Sequence, residues 1–408
     1  MPKILQRFPR YIIAISFCVL IVLLSILFLV CYIDTNTTKP NTNIIANGTT
    51  TVSKATFVIA ANDSKNKEKA DFVCDGTDDQ IEIQAAINSL SPGGGKIILL
   101  DGTYNIDSAT NHGDSLNAIH LPHINNGAHI TIEGMGGSTI LHTRIDAYVF
   151  SAVGSGSYEP DANTRLIFRD LTFSTYLNNK GGGIYLEYCS YCLVENCWFY
   201  NLASGVTFSS VWKSIITNNW FEGCYQPILL INSHDCSVRG NLEGGFENAG
   251  KPSSQVFSIK VIQGFETIIT NNSIEHIYDN GKSSIGIWIV DSADTIITSN
   301  SIEECDSGLK ITGKYPWNSY YLTTSLISTN SFRGNLTNIE LSSTSQALIE
   351  NNLFITLAND IGIKISSGCE KINILSNMFN GFLVGREVED DGTNTDVFCE
   401  FIADKKCY

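Results

Sequence analysis

A degenerate motif recurs through residues 166–379 of the 408-residue sequence, and it constrains the fold more than any other feature. Each copy has two to four β-favouring residues, a short polar pair, an Asn, one further residue, and then Phe or Ile. The clear copies are SIITNNWF (214–221), TIITNNSI (267–274), TIITSNSI (295–302), SLISTNSF (325–332), ALIENNLF (347–354) and INILSNMF (372–379), with a weaker CSVRGNL at 236–242. Their Asn positions span 158 residues in six intervals, about 26 residues each: Asn219, Asn241, Asn272, Asn300, Asn330, Asn352 and Asn377. Two earlier copies have Leu171 and Cys197 at this position.

A fixed period in the range of about 20–50 residues is typical of a solenoid, in which each repeat stacks on the next. The runs are rich in Ile, Val, Thr and Phe and show no helical period. We therefore predict an all-β fold, a single-stranded right-handed parallel β-helix with three short strands per turn and turns about 4.8 Å apart. The recurring Asn is expected to adopt the left-handed conformation at a bend, and to bond to the Asn above and below.

The open end of such a column needs a cap, and residues 70–106 supply a candidate. Thr77 and Gln80 have the spacing of a capping box, and Ile83, Ala86, Ile87 and Leu90 form one helical face. Pro92 and the glycines at 93–95 are expected to end the helix, and strands are expected at 97–100 and 103–106. The pattern predicts an N-terminal capping α-helix.

This segment resembles the N-terminal cap of the pectin-lyase-like superfamily. The matching residues are the Asp-Gly-Thr-Asp-Asp run at 75–79, Ile-Gln-Ala-Ala-Ile at 83–87, and Gly93-Gly94 before a strand. With the Asn repeats, the resemblance covers roughly residues 56–385. It implies the fold but not one activity, since the superfamily includes lyases, hydrolases, epimerases, phage tailspikes and adhesins.

Residues 11–33 are uncharged and almost wholly apolar. Twenty-three helical residues at about 1.5 Å each exceed a bilayer core of about 30 Å, so they predict one uncleaved transmembrane helix. Lys3, Arg7 and Arg10 precede the segment, which places the N-terminus in the cytoplasm and the main domain outside the cell. Lipoprotein processing at Cys31 is disfavoured by the bulky Val30. The predicted division is a cytoplasmic tail (1–10), the anchor (11–33), a flexible stalk (34–55), the cap (56–110), the β-helix (111–385) and a C-terminal tail (386–408).

The net charge of −15 argues against nucleic-acid binding. Beyond the anchor, 23 bases and 41 acids leave −18, which would repel a polyanion unless a cation or a local basic patch intervened. Ten of the 12 cysteines lie outside the anchor, and their pairing is left open. Glycosylation sequons occur at Asn36, Asn47, Asn62, Asn271 and Asn335.

Aligning the repeats on their Asn places Lys260, Trp288 and Lys310 outward on the first strands of three successive turns. The resemblance implies that sugar chains bind along this outer face. An exposed Trp can stack on a sugar ring, and two Lys suit the carboxylates of uronic acids. Tyr185, Glu187 and Asn232 are further candidates for substrate binding. The alternative is that these are ordinary solvent-facing residues.

Acidic residues follow these strands, namely Asp235, Glu266, Asp291 and Asp294, with His234 beside them. Paired carboxylates could act as acid and base in glycoside hydrolysis or could hold Ca²⁺ near Asp291 and Asp235, and His234 could be a base. The candidate catalytic residues are therefore Asp235, Asp291, Asp294, His234, Lys260 and Lys310. The alternative is ordinary turn chemistry, since Asp and Asn favour turns. The arginine of pectate lyases and the motifs of polygalacturonases and alginate epimerases are missing.

These observations favour a membrane-anchored, extracellular β-helix that binds or cleaves polysaccharide or a cell-surface glycan, as a lyase or hydrolase in the second case. The alternative is a non-enzymatic adhesin or envelope protein with the β-helix as a rigid scaffold. A third hypothesis is a maturation factor similar to periplasmic β-helix proteins of the copper-insertion type. An enzyme should bring acids, bases and aromatic residues together on one face within about three turns.

Overall fold

The structure is a computed structural model that describes residues 54–112, 115–122, 129–154, 165–177, 180–244, 256–275, 284–313, 325–356, 360–393 and 395–398. The predicted anchor at 11–33 and nearly all of the predicted stalk lie outside these residues. Among the described residues, no helix has the length and apolar character needed to cross a membrane.

Three sheets run along one solenoid, and their strands are parallel from turn to turn except for one antiparallel pair at Thr110–His112. Each complete turn passes through the sheets in the same order, as predicted. Sheet 1 contains Thr110–His112, Ser115–Leu121, Tyr148–Val153, Gly182–Glu187, Ser204–Ser209, Gln226–Ile231, Val256–Ile262, Ser284–Val290, Ser307–Thr312, Thr337–Ser342, Ile361–Ile365 and Val388–Asp390. Sheet 2 contains Thr56–Ala60, Phe72–Val73, Gly94–Leu99, His129–Glu133, Arg165–Arg169, Leu193–Glu195, Ile215–Thr217, Ser237–Arg239, Ile268–Thr270, Ile296–Thr298, Ser325–Ser328, Ser345–Glu350, Glu370–Leu375 and Asp396–Phe398. Sheet 3 contains Gly102–Ile106, Thr139–Thr143, Thr172–Thr175, Trp198–Tyr200, Trp220–Glu222, Leu242–Gly244, Ser273–Glu275, Ser301–Glu303, Ser331–Arg333, Leu353–Ile355 and Met378–Asn380.

The seven predicted asparagines form a continuous ladder between sheets 2 and 3. Each side-chain amide donates to the Oδ1 of the Asn in the next turn over 2.9–3.0 Å, as far as Asn377. Each also donates to a main-chain carbonyl of the preceding turn over 2.8–3.1 Å. All seven are buried, so these bonds satisfy amides that water cannot reach.

The predicted backbone conformation of these asparagines is wrong by one residue. The left-handed conformation belongs to the residue before each ladder Asn, with φ between 51° and 64°: Asn218, Gly240, Asn271, Ser299, Thr329, Asn351 and Ser376. The bend therefore precedes the ladder position, which leaves the ladder Asn free to point its amide along the solenoid axis.

The core is a set of apolar columns inside the solenoid. The predicted inward residues of sheet 1 are buried from Ile184 and Leu186 through Ile363 and Ile365. In sheet 3, Phe rings stack with centroids 4.7–5.2 Å apart: Phe173, Phe199 and Phe221 near one end, and Phe332, Phe354 and Phe379 near the other. Between them, Glu243 occupies the inward position next to Phe221. This carboxyl is buried, its Oε2 accepts a hydrogen bond from Ser258 Oγ, and its Oε1 has no hydrogen-bond partner among the residues that the structure describes.

The N-terminal end is covered by the α-helix Gln80–Asn88, as predicted. Ile83, Ala86 and Ile87 are buried against the first strands. The predicted capping box is wrong, because Thr77 bonds to Asp75 instead, and the residue preceding the helix, Asp79, makes no side-chain capping bond. Two 3₁₀ turns, Lys67–Lys69 and Gly136–Ser138, complete the helical elements of the described chain.

Leu90 lies beyond the end of the helix, although it still packs against the core. The eight cysteines that the structure describes are buried, and none of them forms a disulfide: Cys74, Cys189, Cys192, Cys197, Cys224, Cys236, Cys305 and Cys369. The sequon residue Asn335 is also fully buried, and its amide donates to Ile302 and Asn338, so a glycan cannot be attached there without local unfolding.

Candidate functional site

The outer face of sheet 1 has the register that the repeats predicted. Lys260 pairs with Trp288, Trp288 with Lys310, and Lys310 with Glu340, each one turn apart. From Tyr185 to Lys364, this outward column contains Tyr185, Thr207, Leu229, Lys260, Trp288, Lys310, Glu340 and Lys364. The three residues proposed to bind a sugar chain therefore lie side by side.

Lys260 is the half-buried cation of this column. Its Nζ lies 3.4 Å from the centroid of the Trp288 ring and 5.4 Å from that of Phe257. Burial lowers the pKa of Lys260, because the charged form loses hydration there. Within the described part of the chain, its contacts are these aromatic rings, and no carboxylate is among them.

Lys310 differs from Lys260 because it already has a counter-ion. Its Nζ lies 3.0 Å from Oε2 of Glu340 in the next turn. The Trp288 ring is held in place by a hydrogen bond, because its Nε1 donates to Thr312 Oγ1 at 3.2 Å. A ligand carboxylate would have to displace Glu340 to reach Lys310, whereas at Lys260 it would meet a cation that no described acidic residue pairs with.

Tyr185 and Glu187 lie on the same sheet nearer the N-terminal end, and both are only 6% exposed. The Tyr185 hydroxyl donates to Oε2 of Glu187 at 3.2 Å. Neither side chain is available to a ligand from solvent, so these two candidates for substrate binding are not part of the site that we propose.

The candidate acids lie at the corner between sheets 1 and 2, in two columns of left-handed residues. Asn232 and Asp291 belong to the first column, with φ of 47° and 45°. Asp235, Glu266 and Asp294 belong to the second, with φ of 54°, 51° and 49°. Five polar residues at left-handed turn positions are what the alternative of ordinary turn chemistry predicts.

One contact within the second column goes beyond turn chemistry. A hydrogen bond with the Asp235 carboxyl raises the pKa of Glu266, and burial and the charges of Asp235 and Asp294 act in the same direction. The two carboxyls therefore lie within hydrogen-bonding range of each other, and Glu266 keeps its proton to a higher pH than an ordinary glutamate does. Glycosidases separate their two carboxyls by about 5 Å or more, so this pair has neither the retaining nor the inverting geometry.

His234 lies in an aromatic stack beside these acids. Its ring centroid is 5.7 Å from that of Trp212 and 6.1 Å from that of Phe265 in the neighbouring turns. Burial lowers the pKa of His234, and no described residue makes a hydrogen bond to its buried Nε2. The ring is therefore neutral near pH 7, held between two aromatic side chains.

An outward aromatic pair on sheet 3 was not predicted as a site. Trp198 and Trp220 lie in adjacent turns and are 38% and 39% exposed. A signal was available, because each stands directly before an inward Phe and alternation then points the Trp outward.

The fold places the chain in the class of right-handed parallel β-helix proteins, with a helix capping its N-terminal end. The sequence matches the family model described as periplasmic copper-binding protein (NosD) over residues 106–321, which is 216 of 408 residues. The chain therefore belongs to this family. No curated protein matches the sequence significantly.

Solved structures of phage tailspikes have the same fold. A mutant tailspike protein of E. coli bacteriophage HK620, in complex with a pentasaccharide, has a TM-score of 0.56 and 13% identity, covering 78% of this chain and 61% of that chain. The Dettilon tailspike protein has a TM-score of 0.52 and 13% identity, covering 78% of this chain and 64% of that chain. The chain thus spans about three fifths of each tailspike chain, and at this identity the likeness shows the fold alone.

The family name implies copper, and the described residues contain one group of three candidate ligands within 4.8 Å of one another: Cys74, Asp79 and Glu82. Burial raises the pKa of the Cys74 thiol, which keeps its proton. The Asp79 carboxylate already accepts bonds from the main-chain nitrogens of Gly76 and Asn105 at 2.8 and 2.7 Å. Copper prefers thiolate, thioether and imidazole ligands, so this group does not fit it.

The Ca²⁺ site expected near Asp235 and Asp291 remains a prediction. In the described ranges, neither residue belongs to a group of three candidate ligands within 4.8 Å. Asp235 and Glu266 provide two carboxyls, fewer oxygen ligands than the about six to eight that calcium takes.

Proposed function

We propose that this protein binds an acidic polysaccharide on the outer face of sheet 1, at Lys260 and Trp288. The observation that carries the proposal is the half-buried Lys260 ammonium, which lies on an aromatic ring and has no carboxylate from the described residues among its contacts. A uronic-acid carboxylate would supply the missing counter-ion. The adjoining Trp288 ring offers an apolar surface to the sugar ring that carries that carboxylate.

The charge of the chain makes this site selective. With a net charge of −15, most of the surface repels a polyanion, and long-range attraction contributes little. Binding would then depend on close contact at Lys260, where partial desolvation strengthens the ion pair. Lys310 could join the site if a second sugar carboxylate displaced Glu340.

Cleavage of the bound polysaccharide is the second candidate function. It is favoured by one observation, the contact between the Glu266 and Asp235 carboxyls, which raises the pKa of Glu266, beside the neutral His234. These carboxyls could exchange protons with a substrate only after the pair had separated, because their direct contact leaves no room for a sugar between them. Binding without cleavage is therefore our first proposal, and it agrees with the non-enzymatic alternative.

We also propose that residues 11–33 anchor the chain in the membrane with the β-helix outside the cell. The apolar, uncharged segment and the basic residues before it support this orientation. Protease added to intact cells should then degrade the β-helix while leaving cytoplasmic proteins intact. Resistance in intact cells combined with sensitivity after lysis would contradict the orientation.

The binding proposal is tested with the full chain and oligogalacturonate, a uronic-acid oligomer, in a detergent without a sugar headgroup. Lys260→Gln and Trp288→Ala should each weaken binding about tenfold, the usual cost of one charged or aromatic contact. Lys364→Gln is the matched control, because Lys364 is an exposed lysine in the same outward column two turns beyond Lys310. Equal effects of Lys260→Gln and Lys364→Gln would contradict a specific site.

The same mixtures distinguish binding from cleavage. New reducing ends or the ultraviolet absorbance of unsaturated sugars would show hydrolase or lyase activity, respectively. If products form, Asp235→Asn should abolish them while leaving binding unchanged. Product formation that survives Asp235→Asn would exclude the carboxyl pair as the catalytic group.

A further inference from the structure

The outer face of sheet 3 has an aromatic surface that the sheet 1 site does not use. Trp198 and Trp220 occupy equivalent outward positions in adjacent turns, and Leu242 continues the column in the next turn. These side chains are 38%, 39% and 51% exposed. Three large apolar side chains in a row on a sheet surface form a patch that favours contact with a ligand.

The rings are arranged as neighbouring platforms. The Trp198 and Trp220 ring centroids are 5.5 Å apart, and the rings are tilted by 60° to one another. The Tyr200 ring lies 6.1 Å from that of Trp198, nearly perpendicular to it. Because adjacent turns repeat at about 4.8 Å, a chain of linked pyranose rings running along the solenoid axis would meet one indole per sugar.

Hydrogen-bonding groups border the aromatic rings on one side. Tyr200 and Glu222 are neighbours in the second outward column, which continues through Ser174 to His142. His142 Nδ1 and Ser174 Oγ are 2.9 Å apart, and the 85% exposed Tyr176 lies over the His142 ring, with centroids 4.0 Å apart. His142 itself is buried, so sugar hydroxyls would bond to the Tyr200 hydroxyl and the exposed Glu222 carboxylate while the ring faces stack on tryptophan.

The charge of the sheet 3 surface indicates which kind of sugar it can bind. The strands Thr139–Thr143, Thr172–Thr175, Trp198–Tyr200, Trp220–Glu222 and Leu242–Gly244 contain no Lys or Arg. The outward charge among them is Glu222, which would repel a uronate. The surface therefore suits a sugar without a carboxylate, unlike the face that presents Lys260.

We propose that Trp198, Trp220 and Tyr200 form a second binding site on sheet 3, one for a neutral oligosaccharide. Stacking on the two indoles provides most of the contact, and the Tyr200 hydroxyl and Glu222 carboxylate bond to the sugar hydroxyls. The site goes beyond the acidic-sugar site on sheet 1. Either site can exist without the other, since they lie on different sheets and share no residue.

The test uses the full chain in a detergent without a sugar headgroup, with cellohexaose and N-acetylchitohexaose as neutral probes and oligogalacturonate as the acidic probe. Binding is followed by calorimetry and by quenching of tryptophan fluorescence. Trp198→Ala and Trp220→Ala should each weaken binding of at least one neutral probe about tenfold. The matched control is Ile268→Ala, which removes a side chain that is 40% exposed on sheet 2. It should leave binding unchanged, and near-ultraviolet circular dichroism would confirm that each variant is folded.

Each outcome separates the two sites. Neutral binding that depends on Trp198 but not on Trp288 supports the sheet 3 site, whether or not oligogalacturonate binds. Absence of neutral binding, or neutral binding that Trp198→Ala and Trp220→Ala leave intact, overturns it even if Lys260→Gln abolishes acidic binding. Loss of neutral binding on Trp288→Ala with no loss on Trp198→Ala would assign both sugars to sheet 1 and would equally overturn the inference.

Discussion

Replacing Asn300 by alanine tests how strongly the ladder holds the turns together. The Asn300 amide donates to the main-chain oxygen of Ile269 at 3.0 Å and to Oδ1 of Asn330 at 3.0 Å. Its Oδ1 accepts from the main-chain nitrogen of Asn272 at 3.0 Å and from the Asn272 side chain at 2.9 Å. The substitution therefore removes four buried hydrogen bonds from three successive turns.

The expected loss of stability follows from the number of hydrogen bonds removed. A buried hydrogen bond contributes about 1 kcal/mol net, so the loss should be about 4 kcal/mol in local stability. Because each turn of a solenoid contacts mainly its neighbours, the effect should be concentrated in the turns next to Asn300. Amide hydrogens that exchange through opening of those turns should then exchange about a thousandfold faster.

Hydrogen exchange by mass spectrometry is the appropriate measurement, because it resolves individual turns where global unfolding of a solenoid need not be two-state. Asn373→Ala is the control, since Asn373 is exposed on the outer face of sheet 2. Its effect should stay within about 0.5 kcal/mol. A change at Asn300→Ala as small as that of the control would refute the view that the ladder stabilises the column.

Two further predictions concern buried and paired acids. Burial raises the pKa of Glu243 well above its unfolded value of about 4.3, so the native state holds the proton more tightly than the unfolded state does. The free energy of unfolding should therefore be highest below about pH 4.3. It should fall by about 1.4 kcal/mol per pH unit as the pH rises from there toward the native pKa. Glu243→Gln should abolish this slope in denaturation curves measured between pH 4 and 7, and an unchanged slope would contradict the assignment. At the corner of sheets 1 and 2, Asp235→Asn should lower the pKa of Glu266 toward its ordinary value by removing the charge of Asp235. Carboxyl carbon shifts in nuclear magnetic resonance would show this, and an unmoved Glu266 resonance would contradict the contact between the two carboxyls.

The fold was predictable because the repeat itself shows which residues lie at equivalent positions in successive turns. Once the Asn positions were aligned, alternation fixed which residues of sheet 1 face inward, and Lys260, Trp288 and Lys310 followed without further information. The helix Gln80–Asn88 was predictable from its apolar face, although its cap was not. Cap geometry depends on which neighbouring groups reach the first turn, and Asp79 bonds instead to Gly76 and Asn105.

The burial and ion pairing of the candidate site residues were less predictable, because they depend on contacts between turns that differ in sequence. The Glu340 carboxylate that pairs with Lys310 comes from the following turn, and the burial of Tyr185 and Glu187 cannot be read from alternation. Glu243 could have been noticed, since it stands at the inward Phe or Ile position of the weakest repeat. Trp198 and Trp220 were also predictable, because each stands directly before an inward Phe and alternation points it outward.

A crystal structure of the full chain with a bound oligogalacturonate tests the central claim most directly, because it shows where the acidic sugar lies. The account predicts a uronate carboxylate about 3 Å from Nζ of Lys260, with a sugar ring against Trp288 on the outer face of sheet 1. A saccharide bound elsewhere, with Lys260 still on the Trp288 ring and no anion beside it, would contradict the account.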